Sequence, residues 1–391
     1  MAGGAGPLES VVSASPSTRL SPAAVDAAFW RGRRVLVTGH TGFKGSWLTL
    51  WLLELGAQVH GLALPAEPVE PPGQPLAEAL GLAERLGPRH RLGDLRDPAV
   101  IQAAVAASEP EVVLHLAAQP LVRRSYSDPR GTWSTNVLGS LELLEALRPL
   151  RHPCAVVLVT TDKVYANREW TWGYRERDRL GGHDPYSASK AAMELLVASW
   201  RDSFCGSGAH QTDRLALASA RAGNVIGGGD WAVDRVVPDA IRALAAGDPI
   251  TLRHPASTRP WQHVLEPLAG YLRLAEALTA DPTLAAAYNF GPASEANQTV
   301  QALVETLLAH WPPGPGSTPR WRSGDQGQDP HEAGLLHLVS DRAREQLGWQ
   351  PRWPFAVTAA RTAQWYRQVL LEGMDPRDGC LADLAAYGAL R

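Results

Sequence analysis

Four polar residues, TTDK at positions 160–163, directly follow the apolar run AVVLV, and a tyrosine and a lysine come later in DPYSASK. If a helix carries the second motif, Tyr186 and Lys190 lie on one face, one turn apart. An ammonium beside a phenol lowers the pKa of the phenol from about 10. Such a tyrosine takes the proton of an alcohol while hydride leaves for a nicotinamide, and Thr160 or Thr161 would hydrogen-bond the reacting hydroxyl. The alternative is a surface pair without a catalytic role.

The segment GHTGFKG, residues 39–45, is a candidate phosphate-binding loop. It lies between a predicted strand and a run with helical spacing, where the pyrophosphate of a dinucleotide meets a helix N-terminus. Gly39 would allow the tight turn, Gly42 the close approach of phosphate, and Gly45 the packing of helix on strand. The spacing differs from the usual G-x-G-x-x-G, so the alternative is an ordinary turn. The strand–turn–helix context favours a nucleotide site.

The length, net charge and cysteine count of the chain narrow the class of protein. At 391 residues the chain forms one large domain or two closely packed ones. The net charge of −3 gives no reason to expect binding to nucleic acid or to an anionic membrane. Three scattered cysteines indicate neither a disulfide framework nor a metal site. Residues 1–27 are predicted to be a flexible tail, and since no stretch is apolar enough for a signal peptide or a membrane span, we predict a cytoplasmic protein.

Apolar runs and helical spacings alternate along the first part of the chain. Predicted strands cover residues 34–38, 59–64, 91–94, 112–117 and 155–160, and predicted helices cover 46–55, 98–107 and 137–147. This alternation predicts an α/β fold, a Rossmann-like doubly wound parallel sheet covered on both faces. After about residue 225 the pattern loosens into helices at 266–280, 300–310 and 355–371 and irregular segments such as 312–334. We therefore predict a cofactor domain over 28–225 and a smaller mixed α/β substrate lobe over 226–391, with the chain crossing between them.

The order of these motifs, with HLAAQ at 115–119 between the glycine loop and the Tyr-Lys pair, resembles the extended short-chain dehydrogenase/reductase superfamily. Within it the chain is similar to the CDP-D-glucose 4,6-dehydratases. The segments that carry this narrower resemblance are GHTGFKGSWL (39–48), AAQPLVRRSY (117–126), TTDKVYANREWTWGYRE (160–176), RAGNVIGGGDWAVDRVVPD (221–239), RPWQHVLEPL (259–268) and HEAGLLHLVSDRAREQLGWQPRW (331–353). They span almost the whole folded chain.

The resemblance implies a redox-neutral removal of water from a nucleotide hexose. Hydride leaves C4 for NAD, the C5 proton and the C6 hydroxyl are lost, and hydride returns to C6. Tyr186 fits the oxidation at C4, with Lys190 and Thr161 beside it. Asp162, if burial keeps it protonated, fits the acid that releases the C6 hydroxyl.

The base at C5 stays open at this stage. Related dehydratases have a glutamate after the aspartate, whereas this chain has Lys163. An ammonium accepts no proton, so Lys163 is a base only if its surroundings lower its pKa well below about 10. Otherwise it stabilises the enolate, or it only pairs with a carboxylate such as Glu169 or Glu176.

Further site residues follow from the resemblance. The expected cofactor contacts are Gly39, Thr41, Gly42, Phe43, Lys44, Gly45, Asp94, Leu95, Ala117, Ala118, Asn136, Tyr186 and Lys190. Asp94 would accept from the adenine amino group. The usual acid after the second strand is missing, because GLALPAE offers Pro65 and only then Glu67; we choose NAD over NADP since no arginine stands there. The expected substrate contacts are Asn224, Arg235, Arg259, His263 and Asn289, whereas Trp231 and Trp261 are interpreted as core residues.

Alternatives of other classes remain open at this stage. An epimerase or reductase on the same scaffold would need Tyr186 and Lys190 but no acid at Asp162. A 4,6-dehydratase for another nucleotide hexose, or a catalytically silent binding protein, is also possible in principle. Because the family pairs through the helix that carries the Tyr-Lys motif and the one before it, we expect a homodimer or a dimer of dimers.

Overall fold

The computed structural model describes residues 24–208, 211–312, 321–324 and 335–390. Residues 1–23 of the predicted tail, and most of the predicted irregular segment 312–334, lie outside the described residues. Asp26, also assigned to the tail, accepts a hydrogen bond from the backbone N–H of Ala28 and caps the first helix. Within the described residues, no helix is both long and apolar enough to cross a membrane.

The helices follow one another along the described chain as α1 (Ala27–Trp30), α2 (Phe43–Glu54), α3 (Leu76–Ala79), α4 (Leu82–Leu86), α5 (Pro98–Ser108), α6 (Val122–Ser127), α7 (Pro129–Trp133), α8 (Gly139–Leu147), α9 (Pro185–Phe204), α10 (Val236–Ala246), α11 (Leu265–Ala280), α12 (Val300–Ala309), α13 (Asp341–Leu347), α14 (Phe355–Leu371) and α15 (Pro376–Tyr387). A π-helical turn, Ser134–Leu138, leads directly into α8. A 3-10 turn, Asp162–Val164, follows the fifth strand.

The strands are β1 (Arg34–Thr38), β2 (Gln58–Ala63), β3 (His90–Leu92), β4 (Val112–His115), β5 (Cys154–Val159), β6 (Leu215–Ala222), β7 (Val225–Ile226), β8 (Ile250–Leu252), β9 (Thr258–Pro260), β10 (Gln262–His263), β11 (Ala287–Phe290), β12 (Asn297–Thr299) and β13 (Trp321–Ser323). Seven of them form one sheet in the order β11-β6-β5-β4-β1-β2-β3, and every neighbouring pair in it is parallel. Three two-stranded pairs, β7 with β10, β8 with β13 and β9 with β12, lie outside this sheet.

The strand sequences are apolar on both faces because helices cover both faces of the sheet. Alternate side chains of β5 enter different cores: Val157 belongs to one cluster and Val156 and Leu158 to the other. The first cluster includes Trp47 of α2 along with side chains of α11, α14 and α15, and the second includes Met193 of α9 along with side chains of α5 and α8. The predicted doubly wound parallel sheet is therefore confirmed.

Two strands of the sheet have no bounds in the sequence prediction. β6 (Leu215–Ala222) reads LALASARA, whose alanines carry little strand signal. β11 (Ala287–Phe290) is four residues long and comes from the part of the chain assigned to the substrate lobe, yet it pairs with β6 at the edge of the main sheet. The chain therefore returns to the sheet after residue 226.

The glycine loop closes onto its own first turn. Gly39 has a φ of +76°, and Gly42 donates its backbone N–H to the Gly39 carbonyl at 3.1 Å. A Cβ atom at Gly45 would lie 2.0 Å from that same carbonyl oxygen, whereas one at Gly42 would lie 3.5 Å from it. Of Gly42 and Gly45, only Gly45 therefore has to lack a side chain for the helix to approach the loop. Gly39 has to lack one too, because a Cβ atom there would lie 2.7 Å from the backbone nitrogen of Ala117.

We expect Gly45→Ala to lower the free energy of unfolding by about 1–3 kcal/mol, because the methyl group forces the loop away from α2. Gly42→Ala is the matched control, since its methyl group meets only ordinary contact distances, and it should change stability by less than about 0.5 kcal/mol. Urea unfolding of the two variants measures the difference. Equal losses would mean that close packing at Gly45 is not what the loop requires.

Candidate active site

A cleft of about 2420 Å³ opens at the carboxyl ends of the parallel strands. Strand β1 lies between β2 and β4, so the chain reverses its direction of travel across the sheet at this point. Ligands of open α/β sheets bind at such a reversal. The volume exceeds the 300–1,000 Å³ or so of a site for one small molecule. The cleft is large enough for two extended ligands side by side.

The glycine loop and the N-terminus of α2 form one wall of the cleft. Gly39, Thr41, Gly42, Phe43, Lys44 and Gly45 all line it. Gly42 is the N-cap of α2 and has no side chain to cap the first turn. The first backbone N–H groups of a helix carry a partial positive charge and suit a phosphate. The space left by Gly42 and the uncapped helix together fit a dinucleotide pyrophosphate.

Some of the predicted cofactor contacts that follow β3 and β4 line the cleft, and one lies behind its wall. Asp94, Leu95, Ala117 and Ala118 line the cleft. Asn136 does not: it is fully buried in the π-helical turn. Its Oδ1 accepts from the backbone N–H of Gln119 at 2.8 Å, and its Nδ2 donates to Ser189 Oγ at 2.9 Å. The predicted cofactor contact of Asn136 is therefore corrected to a support between β4 and α9.

Two ion pairs lie at the end of the cleft near β2 and β3. Arg96 donates to both carboxylate oxygens of Asp94, which holds the pKa of Asp94 below its usual range. Arg124 Nη1 lies 2.5 Å from Oε1 of Glu67, an acidic residue a few positions beyond the end of β2. Glu67 and Arg124 both line the cleft beyond the end of β2.

The two threonines after β5 have different partners. Thr160 donates its hydroxyl to Glu194 Oε1 at 2.5 Å, which turns it into the protein. Thr161 donates to Asp162 Oδ1 at 2.9 Å, and it also lowers the pKa of Tyr186. Both threonines line the cleft, and the geometry favours Thr161, because it hydrogen-bonds the acid whereas Thr160 is bonded to Glu194.

Asp162 is 3% exposed, and its Oδ2 has no hydrogen-bond partner among the described residues. Burial raises the pKa of this carboxyl, against the opposing charge of Lys163, the Thr161 hydrogen bond and the charges of Arg259 and Lys44. A carboxylic acid that keeps its proton at neutral pH is able to donate it to a leaving group. The observed position agrees with an acid role for Asp162.

Tyr186 and Lys190 lie one turn apart on α9 and both line the cleft. Lys190 Nζ donates to the Val159 carbonyl at 3.1 Å. Burial raises the pKa of Tyr186 to about 12, against the opposing influence of Thr161. In the protein alone, burial therefore dominates the pKa of the phenol. Burial and the charge of Lys44 lower the pKa of Lys190 itself to about 7, and Glu194 opposes them.

Lys163 lines the cleft beside Asp162 and is half-buried. The ion pairs formed by the described residues do not include it. Glu176, one of its two expected partners, instead accepts the backbone N–H of Asn289 at 3.0 Å. Lys44, Lys163 and Lys190 are the three lysines of the chain, and all three reach this cleft. The other 34 of the 37 basic residues are arginines, so lysine is confined to the site.

Some of the predicted substrate contacts line the cleft, and the others do not. Asn224, Arg235 and Arg259 line the cleft, and Arg235 lies 2.7 Å from Asp230. Arginines on a cleft wall suit the diphosphate of a nucleotide sugar. Arg235 also lies close enough to Lys44 of the glycine loop for its charge to lower the pKa of that lysine.

His263 and Asn289 are corrected, because both are completely buried away from the cleft. The His263 ring packs edge-on against Trp47 and Trp353, and burial lowers its pKa to about 3. Asn289 accepts from the Tyr165 hydroxyl at 2.7 Å and donates to backbone carbonyls. Both residues support the wall from behind.

Trp231 and Trp261 are buried, as the core interpretation holds. Trp231 packs edge-on against Tyr366, and Trp261 donates its indole N–H to the Gln298 carbonyl at 2.9 Å. Each indole still contributes to the cleft wall. Their main contacts nevertheless lie within the protein.

Sequence reasoning missed two charged residues directly behind the site, Glu194 and Arg221. They form a buried ion pair with an N–O distance of 2.7 Å. The available signal was the spacing: Glu194 follows Lys190 by four residues, which places it on the same face of α9. Arg221 lies in the buried strand β6, and no local sequence pattern indicates its place behind the site.

Comparisons with known proteins agree on one family. The family model described as GDP-mannose 4,6 dehydratase matches residues 36–362. A CDP-glucose 4,6-dehydratase of Salmonella typhimurium is 46% identical over 344 residues, 88% of this chain and 93% of that protein. A dTDP-glucose 4,6-dehydratase of Xanthomonas campestris is 27% identical, with 85% of this chain and 92% of that protein covered.

Solved structures show the same fold. A dTDP-glucose 4,6-dehydratase from Bacillus anthracis in complex with NAD has a TM-score of 0.67 at 20% identity, covering 88% of this chain and 100% of that one. A UDP-glucose-4-epimerase from Stenotrophomonas maltophila with bound NAD has a TM-score of 0.69 at 19% identity, with the same coverage. At these identities the likeness establishes the fold alone.

The buried acid predicts a pH-dependent stability. Because burial raises the pKa of Asp162 above its ordinary value of 3.8, the folded protein holds this proton where the unfolded chain has lost it. Stability contributed by this group is therefore lost as the pH rises through the folded pKa. Since an amide does not ionise, we expect Asp162→Asn to be more stable than the wild type at pH 8 and to approach it near pH 4.

Thermal unfolding without added ligand measures this difference. Asp213→Asn, which removes an exposed carboxyl, is the control and should show no such crossover. An Asp162→Asn protein that is less stable than the wild type at pH 8 would mean that the carboxylate is stabilised in the folded state.

Proposed function

The chain belongs to the GDP-mannose 4,6 dehydratase family, and we propose that it is a CDP-glucose 4,6-dehydratase that uses NAD. The reaction converts CDP-D-glucose to CDP-4-dehydro-6-deoxy-D-glucose and water. The relative from Salmonella typhimurium supports the choice of substrate, with 46% identity over 88% of this chain.

The observation that carries the proposal is a buried acid beside an alcohol-oxidising tyrosine. Thr161 and Asp162 are hydrogen-bonded at the end of β5, and Tyr186 lines the same cleft. An epimerase or reductase needs the tyrosine, but it does not need a protonated carboxyl within reach of the same substrate. A dehydratase needs both, since one group removes a proton at C4 and the other supplies one at C6.

The oxidation at C4 belongs to Tyr186. Its phenol oxygen takes the proton of the C4 hydroxyl, and Thr161 orients that hydroxyl by a hydrogen bond. Lys190 stabilises the phenolate that this transfer requires. Bound NAD would supply a hydride acceptor for C4 and a hydride donor for C6, where C5 also regains a proton, so no cofactor would be consumed over a full cycle.

The elimination belongs to Asp162 and Lys163. Asp162 gives its proton to the departing C6 hydroxyl, which leaves as water. Lys163 lies beside it and acts on C5, either as a neutral amine that takes the proton or as an ammonium that stabilises the enolate. The absence of an ion pair to Lys163 among the described residues argues against a purely structural role.

The remaining assignments belong to the same proposal. Gly39, Gly42 and Gly45 hold the NAD pyrophosphate, and Asn224, Arg235 and Arg259 hold the nucleotide sugar. Residues 28–225 form mainly the cofactor domain and 226–391 mainly the substrate lobe. We propose a cytoplasmic homodimer or dimer of dimers, supported by Leu195 of α9, which is 61% exposed; light scattering measures the oligomeric state.

The function is tested with four substrates, the CDP-, dTDP-, GDP- and UDP-hexoses. We expect the 4-keto product, read as its alkali-stable chromophore, from CDP-glucose and far less from the others. The amount of NAD should be unchanged after many turnovers, because hydride returns to the sugar. Formation of a 4-epimer, or consumption of one NAD for each sugar, would show that the chain is not a dehydratase.

Three variants separate the catalytic roles. Tyr186→Phe should abolish formation of reduced cofactor and exchange of the C5 hydrogen, since the first step fails. Asp162→Asn should allow the oxidation and let deuterium enter C5 from D₂O, yet slow loss of the C6 hydroxyl. Lys163→Met should allow the oxidation but lose the deuterium exchange. Each loss should be about 10²–10⁴-fold in rate, measured by absorbance at the NADH band and by mass spectrometry.

Two outcomes would contradict this division of roles. If Lys163→Met keeps near-normal turnover, Lys163 takes no part in the step at C5. If Asp162→Asn stops the first hydride transfer as completely as Tyr186→Phe, the carboxyl acts in the oxidation and not in the elimination.

A further inference from the structure

A buried ion pair lies directly behind the cleft, between Glu194 of α9 and Arg221 of β6. The N–O distance is 2.7 Å, and the two side chains are 2% and 4% exposed. Glu194 also accepts from the hydroxyls of Thr160 at 2.5 Å and Ser219 at 2.7 Å. A buried pair of this kind is often no more stabilising than apolar side chains of the same size. Stability alone therefore does not account for charges placed behind the site.

Glu194 is connected to the catalytic end of β5 by two routes. The first is its hydrogen bond from Thr160, the residue that directly precedes Thr161 and Asp162. The second is α9 itself, because Lys190 lies one turn before Glu194 and donates to the Val159 carbonyl at 3.1 Å. Two successive residues of the strand end are thus held by two successive turns of one helix face.

Arg221 hydrogen-bonds the chain segment that follows Asp162. Its Nη1 donates to the Tyr165 hydroxyl at 2.8 Å and to the Glu176 carbonyl at 3.0 Å. Tyr165 directly follows the 3-10 turn that contains Asp162. The chain segments before and after the acid are therefore both fixed to the Glu194–Arg221 pair.

The charge of Glu194 also acts on Lys190. Burial and the neighbouring ammonium of Lys44, from α2, lower the pKa of Lys190 to about 7, whereas Glu194 raises it. From β4, His115 also faces Lys190, whose charge helps burial to lower the pKa of that imidazole. Tyr186, on the same face of α9, completes the groups near the ammonium. Among these neighbours Glu194 supplies the charge that favours the ammonium form.

We propose that Glu194, fixed by Arg221, is a positioning residue that holds the end of β5 in place and puts a negative charge one helical turn from Lys190. The role rests on the proposed dehydratase reaction, in which Tyr186 and Lys190 carry out the oxidation at C4. Glu194 itself touches neither the substrate nor the reacting atoms. It acts through Thr160 and Lys190.

The first test titrates Lys190 directly in the protein without ligands. The chain has three lysines, so ¹³Cε-labelled lysine gives three NMR signals, assigned with Lys44→Arg and Lys163→Arg. Glu194→Gln keeps the shape and removes the charge. We expect the pKa of Lys190 to fall by about 1, the size of effect of one charge a helical turn away in a partly screened interior.

Ser219→Ala is the matched control, because it removes a hydrogen bond to the same carboxylate but leaves its charge and the link to β5. It should leave the pKa of Lys190 unchanged. This measurement needs no substrate, so it decides the electrostatic part of the proposal even if the proposed function fails.

The second test measures turnover of CDP-glucose against pH. Since activity needs Lys190 as an ammonium, it is lost as the pH rises through that pKa. In Glu194→Gln this basic limb should move to lower pH by about the same unit found by NMR, with little change in KM. A purely structural defect would lower turnover equally at all pH values.

Because Glu194→Gln leaves the buried Arg221 without its ion-pair partner, Thr160→Val provides a second variant. It keeps the ion pair and breaks only the bond from the strand end to Glu194. We expect kcat to fall about 10-fold or more through misplacement of the neighbouring catalytic groups, with thermal stability close to that of Ser219→Ala. If Thr160→Val keeps its kcat and Glu194→Gln keeps the pKa of Lys190, Glu194 is only a structural residue.

Discussion

Burial of charge at the carboxyl end of β5 is the constraint on which the site depends. Asp162, Lys190, Glu194 and Arg221 are each at most 4% exposed. An ionised group in the interior is tolerated only if it is paired, hydrogen-bonded or neutralised by a change of protonation. Glu194 and Arg221 meet this condition as a pair, and Asp162 and Lys190 meet it through pKa values shifted toward their neutral forms.

Burial also favours the protonated form of Asp162, which an acid role requires. An exposed carboxyl would be ionised at neutral pH and would have no proton to give, whereas the pKa of Asp162 is raised by its surroundings. The Glu194–Arg221 pair and its hydrogen-bond partners form the floor of the site, in which the buried charges compensate each other. Above it, Oδ2 of Asp162 has no hydrogen-bond partner among the described residues. Perturbed groups gathered in one cleft are typical of catalytic sites.

This floor is assembled from distant parts of the chain. The Glu194–Arg221 pair joins α9 to β6, and Arg221 bonds the Tyr165 hydroxyl, which in turn donates to Asn289 of β11. β11 extends the sheet from the C-terminal half and supports the turn that contains the acid. The C-terminal half therefore forms part of the sheet edge beneath Asp162, and the sheet crosses the boundary predicted between the two lobes.

The sequence alone determined the elements whose signals are local. The alternation of strands and helices predicted the parallel sheet, the glycine spacing predicted the cofactor loop, and one helical turn placed Tyr186 beside Lys190. These features depend on neighbours within a few residues, so periodicity and spacing are sufficient to find them.

Only the tertiary structure decided which side chains reach the cleft. Thr160 and Thr161 are adjacent in the chain, but they bond to opposite sides because Glu194 lies behind the strand. His263 and Asn289 are buried, although their polar types suggested contact with a ligand. The partner of a side chain at a strand end comes from elements tens to hundreds of residues away, and no local pattern carries that information.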